Sequence, residues 1–369
     1  MARIVYGVAG EGFGHSSRSH LIGQHLIDAG HEVLFVASRK SLTYLRKYFA
    51  DQVQEAFGLC LIYENRNLSP VRTVTTNLTR FLENRTEIGE FYKNVLEPFE
   101  PDVVISDFEP FSAWWAWHAG VPFVSVNHQH LLTLCDLDHK PGEWLSRLNA
   151  YVVTRCHYFG AAAYVILNFF RAEVNSDLAV LAPPVVRPIV HSFEPSDGDH
   201  VVIYTTDTSW KDEMLEILQS FPDQTFRLYG FNRDEELGNC HLRKTSTDGF
   251  LQDLASCRGI VATAGFSLIS ECLHFRKKML LLPIQGQYEQ VINACYAERL
   301  GLALHRERLD VETLGQYLDC LEDPVPDSDE ILWPDNDRFF RILEQRLGDV
   351  CAALRGHAHA TCDRDRLAG

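Results

Sequence analysis

Residues 3–37 read RIVYGVAGEGFGHSSRSHLIGQHLIDAGHEVLFVA. The run at 3–8 is short, apolar and β-branched, and Gly7, Gly10, Gly12 and Gly14 punctuate its end and the loop after it. From 19 to 29, Leu21, Ile22, Leu26 and Ile27 recur at helical spacing, with Gly30 where such a helix would stop. HEVLFVA at 31–37 reads as a second strand. A strand, a glycine loop, a helix and a strand, the strands almost continuously apolar, describe a βαβ unit in a parallel sheet covered on both faces.

The same rhythm continues outward. PDVVISD at 101–107 is a strand with an acidic end, 111–119 a helix closed by Gly120, and VPFVSV at 121–126 another strand. LAPPVVRP at 181–188 can neither form a helix nor pair inside a sheet. With the polar stretch 194–200 it reads as the connection to a second α/β series. That series has strands starting at Val201, Thr225, Gly259 and Met279, and helices at 211–220, near 250–256, and at 267–275, 288–300 and 310–321. After an acidic segment at 322–330, Phe339, Phe340, Leu343, Leu347, Val350 and Leu354 again show helical spacing, and the tail from 355 reads as polar and frayed. The expectation is an α/β chain of two doubly wound, parallel-sheet, Rossmann-like domains facing one another across a cleft. Their boundaries fall at 1–185 and 186–334, followed by 335–369. Open sheets of this kind bind ligands outside the carboxyl ends of their strands.

The 369 residues suit two such domains, with 46% hydrophobic and 23% charged residues. Lys plus Arg total 34 against 50 for Asp plus Glu, a net charge of −16 that disfavours bulk nucleic acid as a partner. The ten cysteines include no C-x-x-C pair, so they read as reduced thiols of a cytoplasmic protein rather than a zinc site or redox dithiol. The N-terminus lacks a signal-peptide layout, and no apolar run approaches the ~20 residues of a membrane span. Trp114 and Trp117 share a helical face and read as core. Peripheral membrane contact has no other support in the sequence. No metal is expected: His128, His130 and Cys135 lack a fourth ligand at suitable spacing, and no Asp-x-Asp motif of the kind that holds a donor diphosphate is read.

The most informative chemistry lies in TAGFSLISECLHFRKKMLLLPIQGQYEQVINA, residues 263–294. Gly265 ends a strand and a helix begins close to Ser267, so free N–H groups and a positive helix end can seat an anion. Glu271, read as lying near the first turn, suits ribose hydroxyls. The loop 283–287 delivers Gln287, Glu289, Gln290 and Asn293 to the same edge, a set suited to sugar hydroxyls. Each of these residues alone could equally be a helix-start acid or a solvated amide. The ordered set is what points to a site.

This pattern resembles the donor site of GT-B glycosyltransferases, among them the bacterial peptidoglycan N-acetylglucosaminyltransferase and the UDP-glycosyltransferase group. The resemblance implies that Glu271 binds ribose, that Ser267 and Leu268 meet the diphosphate, and that Glu289, Gln290 and Asn293 hold the sugar. It also implies a last helix that crosses back to the first domain.

In the N-terminal loop, GEGFG at 10–14 lacks dinucleotide-binding spacing, and Glu11 would oppose a pyrophosphate. His15, directly after Gly14 at a helix start, suits a general base that takes a proton from an acceptor hydroxyl. It could instead cap the helix. GEGxGHxxR resembles the opening of a family of bacterial and archaeal GT-B proteins. Gly12, Gly14 and Arg18 are candidates for a phosphate or acceptor loop, as is His130 after a later strand. Asp107 or Glu109, at a strand's carboxyl end, would orient His15, share its proton or act as the base. The implied reaction is metal-independent transfer, with inversion, from a nucleotide-sugar donor, UDP-linked, to an acceptor hydroxyl or amine, with no cofactor. The alternatives are a UDP-N-acetylglucosamine 2-epimerase-like enzyme and a non-catalytic nucleotide-sugar binder. The acceptor is not readable, because 41–100 and 131–180 match no known pattern.

Overall fold

The computed structural model describes residues 1–64, 67–139, 142–157 and 160–367. Two seven-stranded sheets dominate it. In the first, the spatial order is Val53–Glu55, Glu32–Ala37, Arg3–Val8, Val103–Asp107, Phe123–Asn127, Ala163–Leu167 and Ala179–Ala182, all parallel. In the second it is Glu235–Leu237, Cys240–Leu242, Thr225–Tyr229, His200–Tyr204, Gly259–Ala262, Lys278–Leu281 and Ala303–His305. Only the edge strand Glu235–Leu237 of this second sheet runs antiparallel. Among the parallel strands, each order reverses direction once. The reversal lies between Arg3–Val8 and Val103–Asp107 in the first sheet, and between His200–Tyr204 and Gly259–Ala262 in the second. A crevice opens at such a reversal because the following connections diverge to opposite faces.

The first helix, Phe13–Asp28, begins well before residue 19, inside the glycine loop. Gly12 makes this early start possible: it is the N-cap at φ +85°, a left-handed conformation costly for a side-chain-bearing residue. His15 is thereby the third residue of the helix. Strands Ala163–Leu167 and Ala179–Ala182, hidden in a stretch with no recognised pattern, complete the first sheet before the prolines interrupt pairing.

Buried apolar residues do not divide into one core per half. One cluster runs from the first sheet to one face of the second, and a smaller one covers the second sheet's other face. The last helix spans Asn336–Leu367, so the tail expected to fray from 355 is helical. It packs on strands Ala163–Leu167 and Ala179–Ala182, with Phe339 fully buried and Phe340 stacked 3.7 Å from the His25 ring. The chain therefore returns to the first half. The outgoing and returning segments are hydrogen-bonded to each other: Val186 N donates to Asn336 Oδ1 at 3.0 Å, and Asn336 Nδ2 donates to the Val186 carbonyl at 2.9 Å.

Candidate active site

The strand Val103–Asp107 is buried throughout and delivers Asp107, fully buried, to its carboxyl end. At the neighbouring strand's end the glycine loop turns into the first helix, whose inward face carries His15, Arg18 and Ser19. His15 Nδ1 lies 2.8 Å from Asp107 Oδ1. Arg18 grips the same carboxylate with two donors, Nε to Oδ2 at 2.9 Å and a terminal nitrogen to Oδ1 at 2.6 Å. Burial alone would raise the Asp107 carboxyl, but the charges and hydrogen bonds of Arg18 and His15 outweigh it and hold the group below the usual carboxylate range. An ionised Asp107 only accepts, so Nδ1 of His15 carries the proton and Nε2 is the basic ring atom. Nε2 has no hydrogen-bond partner among the described residues, and His15 lines the large cleft cavity. Phe108 stacks near the imidazole and turns the corner at φ +56°, a strained conformation for a bulky residue that is held here by its surroundings.

Several expected residues have other employment. Arg18 is buried and committed to Asp107, so it does not offer its charge to a phosphate. Glu109 is the N-cap of the helix Pro110–Ala119: Oε1 accepts from Phe111 N at 2.8 Å, and Oε2 accepts from Ser112 N at 2.9 Å and from the Ser112 hydroxyl. Burial pushes its carboxyl up against these donors, and it neither orients His15 nor is free to act as the base. His130 is buried against Tyr164, with Nδ1 beside Thr133 Oγ1 at 2.9 Å, and is not among the cavity-lining residues. Trp114 does line the cavity, Trp115 enters the core, and Trp117 is exposed rather than buried. Asp-x-Asp pairs do occur, at 136–138, 197–199, 327–329, 335–337 and 363–365, and none of the first four lines this cavity. Asp138 pairs with Arg299, Asp197 with Lys277 and Asp327 with Arg276, and Asp335 accepts from Arg338 N at the last helix's start.

The second half meets this edge through the helices Phe266–His274 and Tyr288–Arg299. Gly265 is the N-cap of the first, and its own residue type offers no side-chain cap to the N–H groups of the first turn. Gly14 approaches so closely that a Cβ there would stand 2.5 Å from Ser267 Oγ. Gly14 thus packs on Ser267, and Gly265, Ser267 and Leu268 are not among the residues lining the cavity. Glu271 is in the second turn, not the first. It is nearly buried, its Oε1 taking Arg187 Nε at 2.9 Å and a terminal nitrogen at 2.7 Å. Burial raises its carboxyl and the Arg187 charge opposes the rise.

Gln287, Glu289 and Gln290 line the cavity, as expected. Gln290 Oε1 accepts from Ile284 N at 3.1 Å, and its Nε2 donates to Gln287 Oε1 at 2.6 Å, so this pair braces the loop it was expected to leave. Asn293 is fully buried and does not reach the cavity. It donates to the Ala264 carbonyl at 3.1 Å, and its Oδ1 lies 2.8 Å from Nε2 of His128 in the first half. Burial lowers the His128 pKa, and its Nδ1 lies 2.7 Å from the Leu167 carbonyl, so the neutral ring can donate to only one of these two acceptors. Beside it, Gln129 Nε2 donates to Glu289 Oε2 at 2.9 Å.

The cavity has a volume of about 1710 Å³ and runs between the carboxyl edges of both sheets. One wall of this cavity, and the partner of Glu271, escaped the sequence. Thr205, Asp207 and Trp210 follow the strand His200–Tyr204 and line the second half's wall. Their signal was the strand-end position, the one that exposed Asp107. Arg187 sits in the proline-rich connection, where no motif marks it.

This arrangement, a proton-handling pair at one reversal point and a helix start with polar loops at the other, suits group transfer between two ligands across a cleft. The chain matches the description "Glycosyl transferase family 1" over residues 2–322. It belongs to that family. A protein described as an uncharacterized glycosyltransferase from Methanosarcina acetivorans is 31% identical over 353 residues, 88% of this chain and 90% of that protein. A second one of the same description and organism is 33% identical over a shorter stretch covering 34% of this chain and 32% of its own length. Among solved structures, CalG4, the calicheamicin glycosyltransferase, aligns with a TM-score of 0.59 at 14% identity over 99% of both chains. LpCGTa, solved in complex with UDP, aligns at 0.58 and 14% identity over 88% of this chain and 91% of its own. The fold is GT-B, and family membership makes the chain a glycosyltransferase rather than a non-catalytic binder.

Proposed function

We propose that the chain moves a sugar from a nucleotide diphosphate donor, UDP-linked, to an acceptor hydroxyl or amine, without a metal and with inversion, using His15 as the general base. The observation that carries this reading is the His15–Asp107–Arg18 chain, with Asp107 held ionised and the unpartnered His15 Nε2 at the cavity. Nε2 takes the proton of the acceptor O–H or N–H as that atom attacks the anomeric carbon. The bond from that carbon to the diphosphate breaks as the new bond forms. A single displacement from the opposite face inverts the centre. Asp107 stabilises the imidazolium, as an ionised carboxylate beside a charging ring does.

On the donor side, the start of Phe266–His274 offers N–H groups to the departing diphosphate. For phosphates to reach it, the glycine loop must draw back from Ser267, against which Gly14 now packs. Glu289, which lines the cavity, would take sugar hydroxyls, and Glu271, off the cavity lining and held by Arg187, would take ribose once Arg187 yields one of its contacts. The UDP-bound fold neighbour supports the choice of nucleotide. The described cysteines are thiols rather than disulfides, which fits a reducing compartment.

The test is donor turnover by His15→Ala. UDP-sugar binding should persist while transfer collapses. Equal activity in variant and wild type would remove His15 from the mechanism. An epimerised sugar released from donor alone would replace transfer with the epimerase-like reaction.

A further inference from the structure

Two helices of the first half, Pro70–Glu83 and Trp144–His157, flank the cavity, and the second of them also packs on Tyr288–Arg299 of the second half. Thr73, Val74 and Asn77 of one, and Asn149, Ala150 and Val153 of the other, line it. Both also carry apolar residues into solvent. On the first these are Val71, Val74, Leu78 and Leu82, and on the second Trp144, Leu145, Leu148, Tyr151 and Val152. The spacings i, i+3, i+7, i+11 and i, i+1, i+4, i+7, i+8 each make one continuous helical face. An exposed apolar face is uncommon on a soluble surface, and two faces bordering one cavity mouth are more so. Trp117, also exposed, lies on the helix Pro110–Ala119 that packs against Trp144–His157. On sequence alone the Trp114–Trp117 face reads as core, whereas Trp117 is exposed beside this patch.

The charges around these faces select the occupant. The chain carries a net charge of −16. Yet Trp144–His157, reading WLSRLNAYVVTRCH, contains Arg147 and Arg155 and no acidic residue. Pro70–Glu83 carries Arg72, while its Arg80 is turned inward to the Gly58 carbonyl and the Phe57 ring, and its only acid is its final residue. Apolar residues interleaved with arginines, on an otherwise acidic protein, complement a surface that is greasy below and anionic above. A second copy of this chain would bring a like-charged body against the patch. We propose that these two helices seat the enzyme on an anionic lipid bilayer, with the mouth of the cavity at the headgroup level. The buried Trp114 Nε1 finds no acceptor among the described residues, so this arm of the cavity holds an unused donor for a ligand entering from that side.

The full chain is sedimented with vesicles of phosphatidylcholine alone and of phosphatidylcholine mixed with phosphatidylglycerol, with neither donor nor acceptor present. The result is thus independent of the transfer reaction. Wild type should sediment with the anionic vesicles and be released by raised salt. The triple variants V71S/L78S/L82S and L145S/L148S/V152S, whose positions do not line the cavity, should each lose at least about tenfold in partitioning. Their thermal unfolding should remain cooperative, which separates lost docking from lost folding. The proposal is overturned if wild type stays in the supernatant with anionic vesicles, or if both variants sediment like wild type. It is equally overturned if light scattering finds a dimer that the variants dissociate while vesicles bind nothing, which would give the faces to a second copy.

Discussion

Gln129 of the first half donates to Glu289 of the second across the cleft, Nε2 to Oε2 at 2.9 Å. Glu289, proposed above for a donor sugar, is therefore occupied by the opposite wall, and a sugar would have to compete for it. Gln129→Ala should tighten donor binding about three- to tenfold by removing that competitor. Glu289→Ala should weaken it by about tenfold or more. Calorimetric titration with UDP-sugar reads both, and opposite signs are the expected outcome.

His15→Ala and Asp107→Asn should each lower kcat by about 10²–10⁴-fold, the range for a lost general base or its orienting partner. The donor dissociation constant should move little, because neither side chain is assigned to the donor. Glu109→Gln should act on stability instead, since its carboxylate caps a helix.

Asp107 also shapes the acid limb of stability. Its folded-state pKa is depressed, so the unfolded chain binds the proton more readily. The stabilisation is therefore fully present above the unfolded value of about 3.9 and lost as pH falls through the folded value. Asp107→Asn should flatten the fall of Tm below about pH 4. At neutral pH the same variant should be less stable by about 3–5 kcal/mol, because it leaves the buried Arg18 without its counter-charge.

Gly14→Ala should cost about 1–3 kcal/mol, since the new methyl would meet Ser267 Oγ. Ser267→Gly should restore most of it in the double variant. A coupling near zero in that cycle would show that the two walls do not touch in solution.

Phe339→Ala should destabilise the whole chain by about 3–5 kcal/mol, as expected for emptying a fully buried aromatic site. Because its helix returns to the first half, urea unfolding should lose stability in one transition shared by both halves.

The βαβ units were legible because strands buried on both faces are continuous apolar runs, as in Val103–Asp107 and Gly259–Ala262. Ala163–Leu167 is such a run as well, but no recognised motif flanks it to mark it as a strand. His15 and Asp107 were legible as strand-end and helix-start residues, whereas their pairing, with Arg18 as third member, depends on which strands are neighbours. Glu109 and Asn293 read as ligand residues because sequence shows residue type and approximate position. It does not show that a backbone N–H or a facing imidazole already satisfies the group. Arg187 was invisible for the converse reason: its partner Glu271 lies far along the chain.

The reciprocal bonds between Val186 and Asn336 join the outgoing and returning connectors into a two-ply strap. A single tether would let the halves slide, swivel or part. Two plies fastened to each other resist twist and shear and yield mainly to bending about one line. Opening of the cleft is thus reduced to a jaw-like pivot at the back of the molecule. Each cycle of release and closure then brings Gly14 back to Ser267, and Gln129 back to Glu289, in the same register.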